Sequence, residues 1–354
     1  MHYIELVFLF IIFTKIIKKQ EILLMIIFYI IRLAKVKIAT FNCENLFARY
    51  KFNTNVDIDK AIKDGWLPDE RFFHINNKRE KKLTAEAIKE TKADVIALQE
   101  VENFQVLKRF RKDYLQGIQK YKYMCLVEGN DPRLIDIAVL SKYPIEKIDT
   151  HVHEYDTKLR MFTFSRDCLE CNIVIPDTTK KMIRLYVNHF KSMMDKSNPC
   201  KGREVTRKKR IAQSKRVKEI VSEEISDTNG NEDFIILGDL NDYPQTDEQG
   251  SSGITDLLNW DKIENIVDRL PEEERWTHYF KGNSSCNIPE AYKQLDYILI
   301  SESLAEKNKN KKPKIIRNGL PLRADKYKGD RFKGVGKTSP KSSDHCPVVI
   351  ELEV

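Results

Sequence analysis

The chain has 354 residues, of which 61 are Lys or Arg and 53 are Asp or Glu, so its formal net charge is +8. This length suits one large α/β domain or two small ones, and it excludes a scaffold that needs disulfides or a structural metal to fold. The composition is that of a soluble globular protein outside the first 35 residues. The basic excess favours a polyanionic partner, although charged runs also serve simply to solvate a surface.

The first 35 residues contain two apolar runs, at positions 7–13 and 22–31, separated by a charged segment. Each run is shorter than the roughly 20 apolar residues that span a bilayer, and neither is followed by a small-residue cleavage site. We therefore divide the chain into an apolar extension at 1–35, interpreted as translated sequence upstream of a true start, and a single enzyme domain at 36–354. The alternative is a genuine anchor or export segment, which would bring the protein to a membrane.

From residue 36 onward, short apolar runs alternate with charged helical segments. Strands are predicted at 36–41, 95–98, 135–140, 185–187, 234–237, 295–300 and 348–352. Helices are predicted at 82–91 and 203–225, the second with a buried stripe at Val217, Ile220, Val221 and Ile225. Residues 53–77 and 305–343 are predicted to be long surface insertions.

The seven cysteines show no repeated metal-ligand spacing. Cys168 and Cys171 have CxxC spacing, but no second pair completes a zinc site, and the neighbouring residues favour a strand. We therefore predict buried strand thiols rather than metal or redox chemistry. The cysteine count favours a reducing compartment, which predicts a cytoplasmic protein.

Almost every predicted strand adjoins a polar cluster. The clusters are Asn42-Cys43-Glu44-Asn45, Gln99-Glu100, Asn188-His189, Asp239-Leu240-Asn241, Asp296 and Ser343-Asp344-His345. One such cluster is commonly a turn or a helix cap. Several carboxylates brought together at strand ends are costly unless a cation lies among them, and Mg²⁺ prefers such oxygen ligands. The pattern therefore predicts a site for Mg²⁺ or Mn²⁺ with histidines beside it.

These motifs, in this order, resemble those of the endonuclease/exonuclease/phosphatase superfamily, which includes deoxyribonuclease I, abasic endonucleases, sphingomyelinases and inositol polyphosphate phosphatases. The resemblance covers residues 36–354. It implies a four-layer α/β sandwich of two stacked mixed β-sheets flanked by helices, with the active site where strand ends of both sheets meet. It also implies divalent-metal-dependent hydrolysis of phosphoester bonds.

The resemblance further implies a role for each motif residue. Glu100 is expected to be the principal metal ligand, supported by Asn42, Glu44 and Asp344. Asp239 would orient or deprotonate the attacking water, and Asn241 would hold a phosphate oxygen. His345, with Asp296 as its carboxylate partner, would stabilise the pentacovalent phosphate. His189 would contact phosphate or act as an acid.

Several residues outside these motifs have two interpretations. Arg133 could grip phosphate or form a structural salt bridge to Asp131 or Asp136. Arg166 could pair with Asp167. The remaining histidines are interpreted as surface or core residues: His74, His151, His153 and His278.

A monomeric nuclease acting on DNA or RNA is the predicted function. The basic helix after His189, with Arg207, Lys208 and Arg210, and the Lys/Arg-rich stretch at 307–341 would contact the phosphate backbone. The sequence shows no aromatic platform for stacking bases, so it does not separate DNA from RNA. The alternative is a phosphoesterase that acts on a lipid or small-molecule substrate.

Overall fold

The computed structural model describes residues 34–47, 78–117, 120–176, 181–226 and 232–354. The apolar extension at 1–33 and the predicted insertion at 53–77, which includes His74, therefore lie outside the described residues. No helix among the described residues is long and apolar enough to cross a membrane.

Two six-stranded mixed sheets form the centre of the fold. The strands are β1 (Lys35–Leu46), β2 (Val95–Val101), β3 (Tyr123–Val127), β4 (Asp136–Ser141), β5 (Ile145–Asp149), β6 (Tyr155–Asp156), β7 (Met161–Phe162), β8 (Cys168–Val174), β9 (Met182–His189), β10 (Phe234–Asp239), β11 (Ile263–Asn265), β12 (His278–Phe280), β13 (Ala291–Lys293), β14 (Asp296–Ser301), β15 (Lys314–Ile315) and β16 (Val348–Glu353). The first sheet has the order β15-β16-β1-β2-β4-β3, and the second has the order β11-β14-β10-β9-β8-β5. β12 pairs with β13, and β6 pairs with β7, in two separate small sheets.

Five α-helices lie among the described residues: α1 (Lys78–Thr91), α2 (Phe104–Tyr114), α3 (Gly202–Ser226), α4 (Thr255–Leu258) and α5 (Glu302–Lys307). Short 3-10 helices lie at Ile266–Arg269, Glu272–Glu274 and Ser284–Cys286. In α3, the predicted stripe packs on the outer face of the second sheet, with Val217, Ile220 and Val221 buried and Ile225 partly buried.

Side chains that alternate along each strand divide the core into layers. Val36 and Ile38 of β1 face Ile235 and Leu237 of β10 in the core between the sheets. Ala39, the residue after Ile38, packs against α1 and α2 on the outside of the first sheet. Because a strand turns successive side chains to opposite faces, the all-apolar predicted strands bury both faces at once. The four-layer α/β sandwich is therefore confirmed.

Each predicted strand is present, but the motif strands run further than predicted. β1 continues through Asn42, Glu44 and Asn45, and β2 continues through Glu100. The predicted surface insertion at 305–343 is wrong in part. Leu320 and Ala324 belong to the main core, which is why that segment packs against the body of the domain.

The cysteines divide into two groups. Five are buried thiols, and Cys168 and Cys171 lie on β8 as predicted. Cys200 and Cys286 form a disulfide, which was not predicted because 86 residues separate the two cysteines along the chain. This bond weighs against the expectation of a reducing compartment.

Candidate active site

A bulge between β1 and β2 positions the first group of motif residues. The register of this parallel pair shifts between Asn42 and Leu46, and the backbone adopts positive φ at Glu44, Asn45 and Glu100. The Asn45 N–H donates to Glu100 Oε2 at 2.9 Å, and the Glu44 N–H donates to Asn42 Oδ1 at 3.0 Å. The irregular backbone thus directs polar side chains to the edge of a sheet whose other residues are apolar.

Asp239, the last residue of β10, lies at the centre of the polar cluster. Its Oδ2 accepts from Asn42 Nδ2 and from Asn241 Nδ2, both at 2.9 Å. His189 Nε2 is 3.5 Å and His345 Nε2 is 3.9 Å from the same oxygen. Burial raises the pKa of Asp239 to about 7, while the neighbouring His345 opposes the shift. The carboxylate therefore has the environment of a base that works near neutral pH.

Asp296 and His345 form a buried pair beside Asp239. His345 Nδ1 is 2.9 Å from Asp296 Oδ2, which also accepts from the Thr277 hydroxyl at 2.7 Å. Burial alone would lower the pKa of His345, but Asp296 and Asp239 together raise it well above its usual value. The two carboxylates therefore favour the protonated form of the imidazole, whose Nε2 side faces Asp239.

A second group of charges surrounds Asp344. Glu44 is held at both carboxylate oxygens, by Lys341 Nζ at 2.7 Å and by the Asp344 N–H at 2.9 Å. His278 Nε2 lies 4.0 Å from Asp344 Oδ2, and its ring is 4.5 Å from the ring of His345. Because Lys341 already engages Glu44, this carboxylate is better placed to position Asp344 than to bind an ion directly.

The flank beside His189 is cationic. Asp131 accepts from Arg133 Nε and Nη2, each at 3.0 Å, and its Oδ2 is also 3.0 Å from Arg166 Nε. The salt bridge considered for Arg133 is therefore made to Asp131, and Arg166 pairs with Asp131 rather than with Asp167. The Arg133 side chain is still 51% exposed. It can therefore contact a phosphate without leaving its partner.

The residues present fit a divalent cation. Burial, and secondly the negative charge of Asp344, raise the pKa of Glu100. The same two causes, in the same order, raise the pKa of Glu44 to about 7. Asp296 Oδ1 is buried and lacks a hydrogen-bond partner among the described residues. Donor atoms of Asp239, Asp296 and His345 lie within 4.8 Å of one another, as do those of His278, Asp344 and His345. Glu100 belongs to neither group, but Mg²⁺ usually keeps several waters and needs only one or two protein carboxylates.

A family model described as "Endonuclease/Exonuclease/phosphatase family" matches residues 37–354. The chain belongs to this family. Members hydrolyse phosphoester bonds and generally depend on a divalent metal, which agrees with the carboxylates and histidines gathered here. No curated protein matches the sequence.

Solved structures of the same fold have low sequence identity to this family member. TDP2 from Caenorhabditis elegans, in truncated form, is 17% identical over 90% of this chain and 98% of its own, with a TM-score of 0.53. Beta toxin from Staphylococcus aureus is 16% identical over 89% and 99%, with a TM-score of 0.54. TDP2 from D. rerio, complexed with a single strand DNA product, is 14% identical over 90% and 99%, with a TM-score of 0.52. At these identities the similarity shows the fold alone.

The sequence interpretation missed several residues of the site. Thr277 and His278 reach it because β12 pairs at His278 with His345, a long-range contact that no local motif signals. Lys341 was noted only as part of a basic stretch, and Arg166 only as a partner of Asp167.

The predicted phosphate-binding face of α3 is wrong in part. Arg210 is fully buried, with its Nε 2.7 Å from Asp242 Oδ2. Arg207 is half-buried and donates from Nε to the Ser252 carbonyl at 3.1 Å. Only Lys208 of the three is exposed, because the helix turns its two arginines toward the loop after β10.

Proposed function

We propose that this protein is a metal-dependent nuclease. The observation that carries the proposal is the cationic flank beside His189, where Arg133 is half exposed, Lys191 is half-buried and Arg166 is buried behind them. Burial is the largest cause that lowers the pKa of His189, and the positive charges of Arg166, Arg133 and Lys191 lower this pKa further. A small phosphoester needs one such cation, whereas a polynucleotide presents a row of phosphates to several.

In this proposal, Asp239 is the base for the attacking water. Its carboxylate is fixed by two amides, Asn42 and Asn241, so it has a single orientation. Its raised pKa favours accepting a proton near neutral pH. Asn241 and Arg133 would hold nonbridging phosphate oxygens, and the neutral His189 would donate a hydrogen bond to the same group.

His345 supplies positive charge where negative charge grows on the phosphate. Asp296 keeps the imidazole protonated and oriented, as Thr277 in turn orients Asp296. Preorganised charge of this kind is usually a large part of catalysis. The proton on Nε2 of His345 is the one available to a phosphate oxygen or to the leaving group, because Nδ1 of His345 is engaged by Asp296.

Glu100, Asp344 and Asn42 would hold the Mg²⁺ or Mn²⁺, with Glu44 and Lys341 positioning Asp344. A divalent ion bound there would neutralise charge on the phosphate. The D. rerio TDP2 structure with its single strand DNA product supports nucleic acid as a substrate class for this fold.

A substrate panel tests the proposal. Purified protein is assayed on plasmid DNA, single-stranded DNA, RNA, sphingomyelin and bis-p-nitrophenyl phosphate, each with Mg²⁺, Mn²⁺ or EDTA. We expect nucleic acid to give the highest kcat/KM, and Arg133→Ser to raise KM on nucleic acid more than on bis-p-nitrophenyl phosphate. Arg133→Lys is the matched control that retains the charge. Hydrolysis of sphingomyelin without cleavage of any nucleic acid would contradict the proposal.

A further inference from the structure

The short β6–β7 hairpin displays two aromatic rings on the surface. Tyr155 is 54% exposed and Phe162 is 43% exposed, and their ring centroids are 5.8 Å apart with the ring planes at 88°. Neither ring belongs to a core cluster of the described residues. Exposed apolar surface of this kind is a candidate binding site.

The structure holds this hairpin firmly at its base. The Thr163 N–H donates to the Glu154 carbonyl at 2.7 Å. The Glu154 carboxylate contacts Arg216 of α3 at 2.5 Å and His151 at 2.9 Å. Lys209 of α3 also donates to the Phe162 carbonyl. The rings are therefore presented by a backbone that is fixed to the basic helix.

The hairpin adjoins the cationic flank of the catalytic site. The Asn130 side chain donates to the Val152 carbonyl at 2.6 Å and to the Phe164 carbonyl at 3.3 Å, which ties the hairpin to the loop that carries Arg133. Arg166 follows the hairpin in sequence and donates to the Phe190 carbonyl at 2.8 Å, next to His189. These contacts link the hairpin, the loop that carries Arg133 and the strand end that carries His189.

We propose that Tyr155 and Phe162 form a stacking platform for an unpaired base of a single-stranded nucleic acid whose backbone runs along Arg133 toward the catalytic site. This inference rests on the proposed nuclease function and specifies the state of its substrate. Stacking on aromatic rings beside a basic path is the general way in which proteins bind single strands. Bases in a duplex are already stacked and present no free face to such a platform.

Charges in the hairpin turn favour a nucleic acid over a lipid surface. Lys158 and Arg160 are exposed in that turn, and neither forms an ion pair within the part of the chain that the structure describes. Leu159, the apolar residue between them, is partly buried. A hairpin that inserts into a bilayer needs an apolar tip, whereas here the rings lie at the base and the cations at the tip.

Equilibrium binding in EDTA tests the platform separately from cleavage. Anisotropy is measured for a labelled oligothymidylate and for an abasic strand of the same length, which keeps the phosphates and lacks the bases. We expect the protein to bind oligothymidylate about tenfold more tightly, the scale of one stacked base. The double variant Tyr155→Ala/Phe162→Ala should lose this preference, and Phe162→Trp should retain it. Met161→Ala is the matched control, because Met161 is 46% exposed on the same hairpin and has no ring.

Several results would overturn the inference. Equal affinity of the unmodified protein for both strands would do so while leaving cleavage of nucleic acid, and hence the nuclease proposal, intact. An equal loss of affinity in Met161→Ala would show apolar contact rather than stacking. Loss of binding to phosphatidylserine vesicles in the double variant, with oligothymidylate binding unchanged, would make the patch a membrane site. Absence of any nucleic acid binding or cleavage, with bis-p-nitrophenyl phosphate still hydrolysed, would overturn both proposals.

Discussion

Removing the carboxylate of Asp296 should disable His345 without removing its ring. In Asp296→Asn, an amide replaces the carboxylate whose oxygen lies 2.9 Å from Nδ1 of His345. Because Asp296 is the largest of the charges that raise the pKa of His345, the imidazole becomes easier to deprotonate. The site then loses positive charge at the place where the phosphate gains negative charge.

The expected loss of kcat in Asp296→Asn follows from the free energy of the hydrogen bond that is removed. A buried hydrogen bond to a charged group contributes about 1.5–3 kcal/mol. At about 1.36 kcal/mol per factor of ten, its loss lowers kcat by roughly 10- to 150-fold. His345→Ala removes the group altogether and should lower kcat by about 10²-fold or more. Because both substitutions remove one function, the double variant should be little worse than His345→Ala alone.

The assay is kcat for bis-p-nitrophenyl phosphate at saturating Mg²⁺, with thermal unfolding to verify that each variant is folded. Thr277→Val, which removes the hydroxyl 2.7 Å from Asp296, should give an intermediate loss, and Thr277→Ser should restore activity. If the losses in Asp296→Asn and His345→Ala multiplied fully in the double variant, the two residues would act independently, and the mechanism proposed here would be wrong.

Three further predictions follow from the same geometry. Hydrolysis should stop in excess EDTA and in Glu100→Gln, whose unfolding temperature should remain near that of the unmodified protein; turnover that persists in EDTA would contradict a metal role. Asp239 must be ionised to accept a proton, so kcat/KM should fall about tenfold per pH unit below the pKa of about 7. A bound cation that stabilises the ionised form would move this fall to a lower pH. Asp239→Asn should lower kcat at least about 10²-fold and abolish the fall in kcat/KM at acidic pH. Arg210→Ala should cost about 1.5–3 kcal/mol of stability, because it removes a buried hydrogen bond to the charged Asp242, which keeps Arg203 as its other cation. Lys208→Ala should change stability by less than about 0.5 kcal/mol, and similar urea midpoints for these two variants would contradict the assignment of Arg210 as structural.

Local sequence was enough to predict most of the polar residues that the structure brings together in the candidate site. Asp239 and Asp296 adjoin buried strands whose positions follow from apolar runs, and paired strands bring their ends to one edge of a sheet. The stacked sheets themselves were expected only because the ordered motifs resemble those of the family, and the apolar runs alone would not have predicted them. What the pattern could not give was the bulge at Glu44 and Glu100, since its positive φ values arise from pairing between strands. The contact of His278 with His345 likewise depends on long-range pairing alone.

The sequence predicted least well which charged side chains of a helix face solvent. Arg207, Lys208 and Arg210 are near neighbours in α3, and a basic run of this kind ordinarily indicates a solvated or phosphate-binding face. The structure separates them by the direction of each side chain: Arg210 lies against Asp242, while Lys208 faces solvent. Because Asp242 follows Asn241 on the same loop, the Arg210–Asp242 ion pair anchors the loop that carries Asn241 of the candidate site. Within this basic segment of α3, Arg210 therefore helps to hold the site in place, whereas Lys208 lies on the external surface.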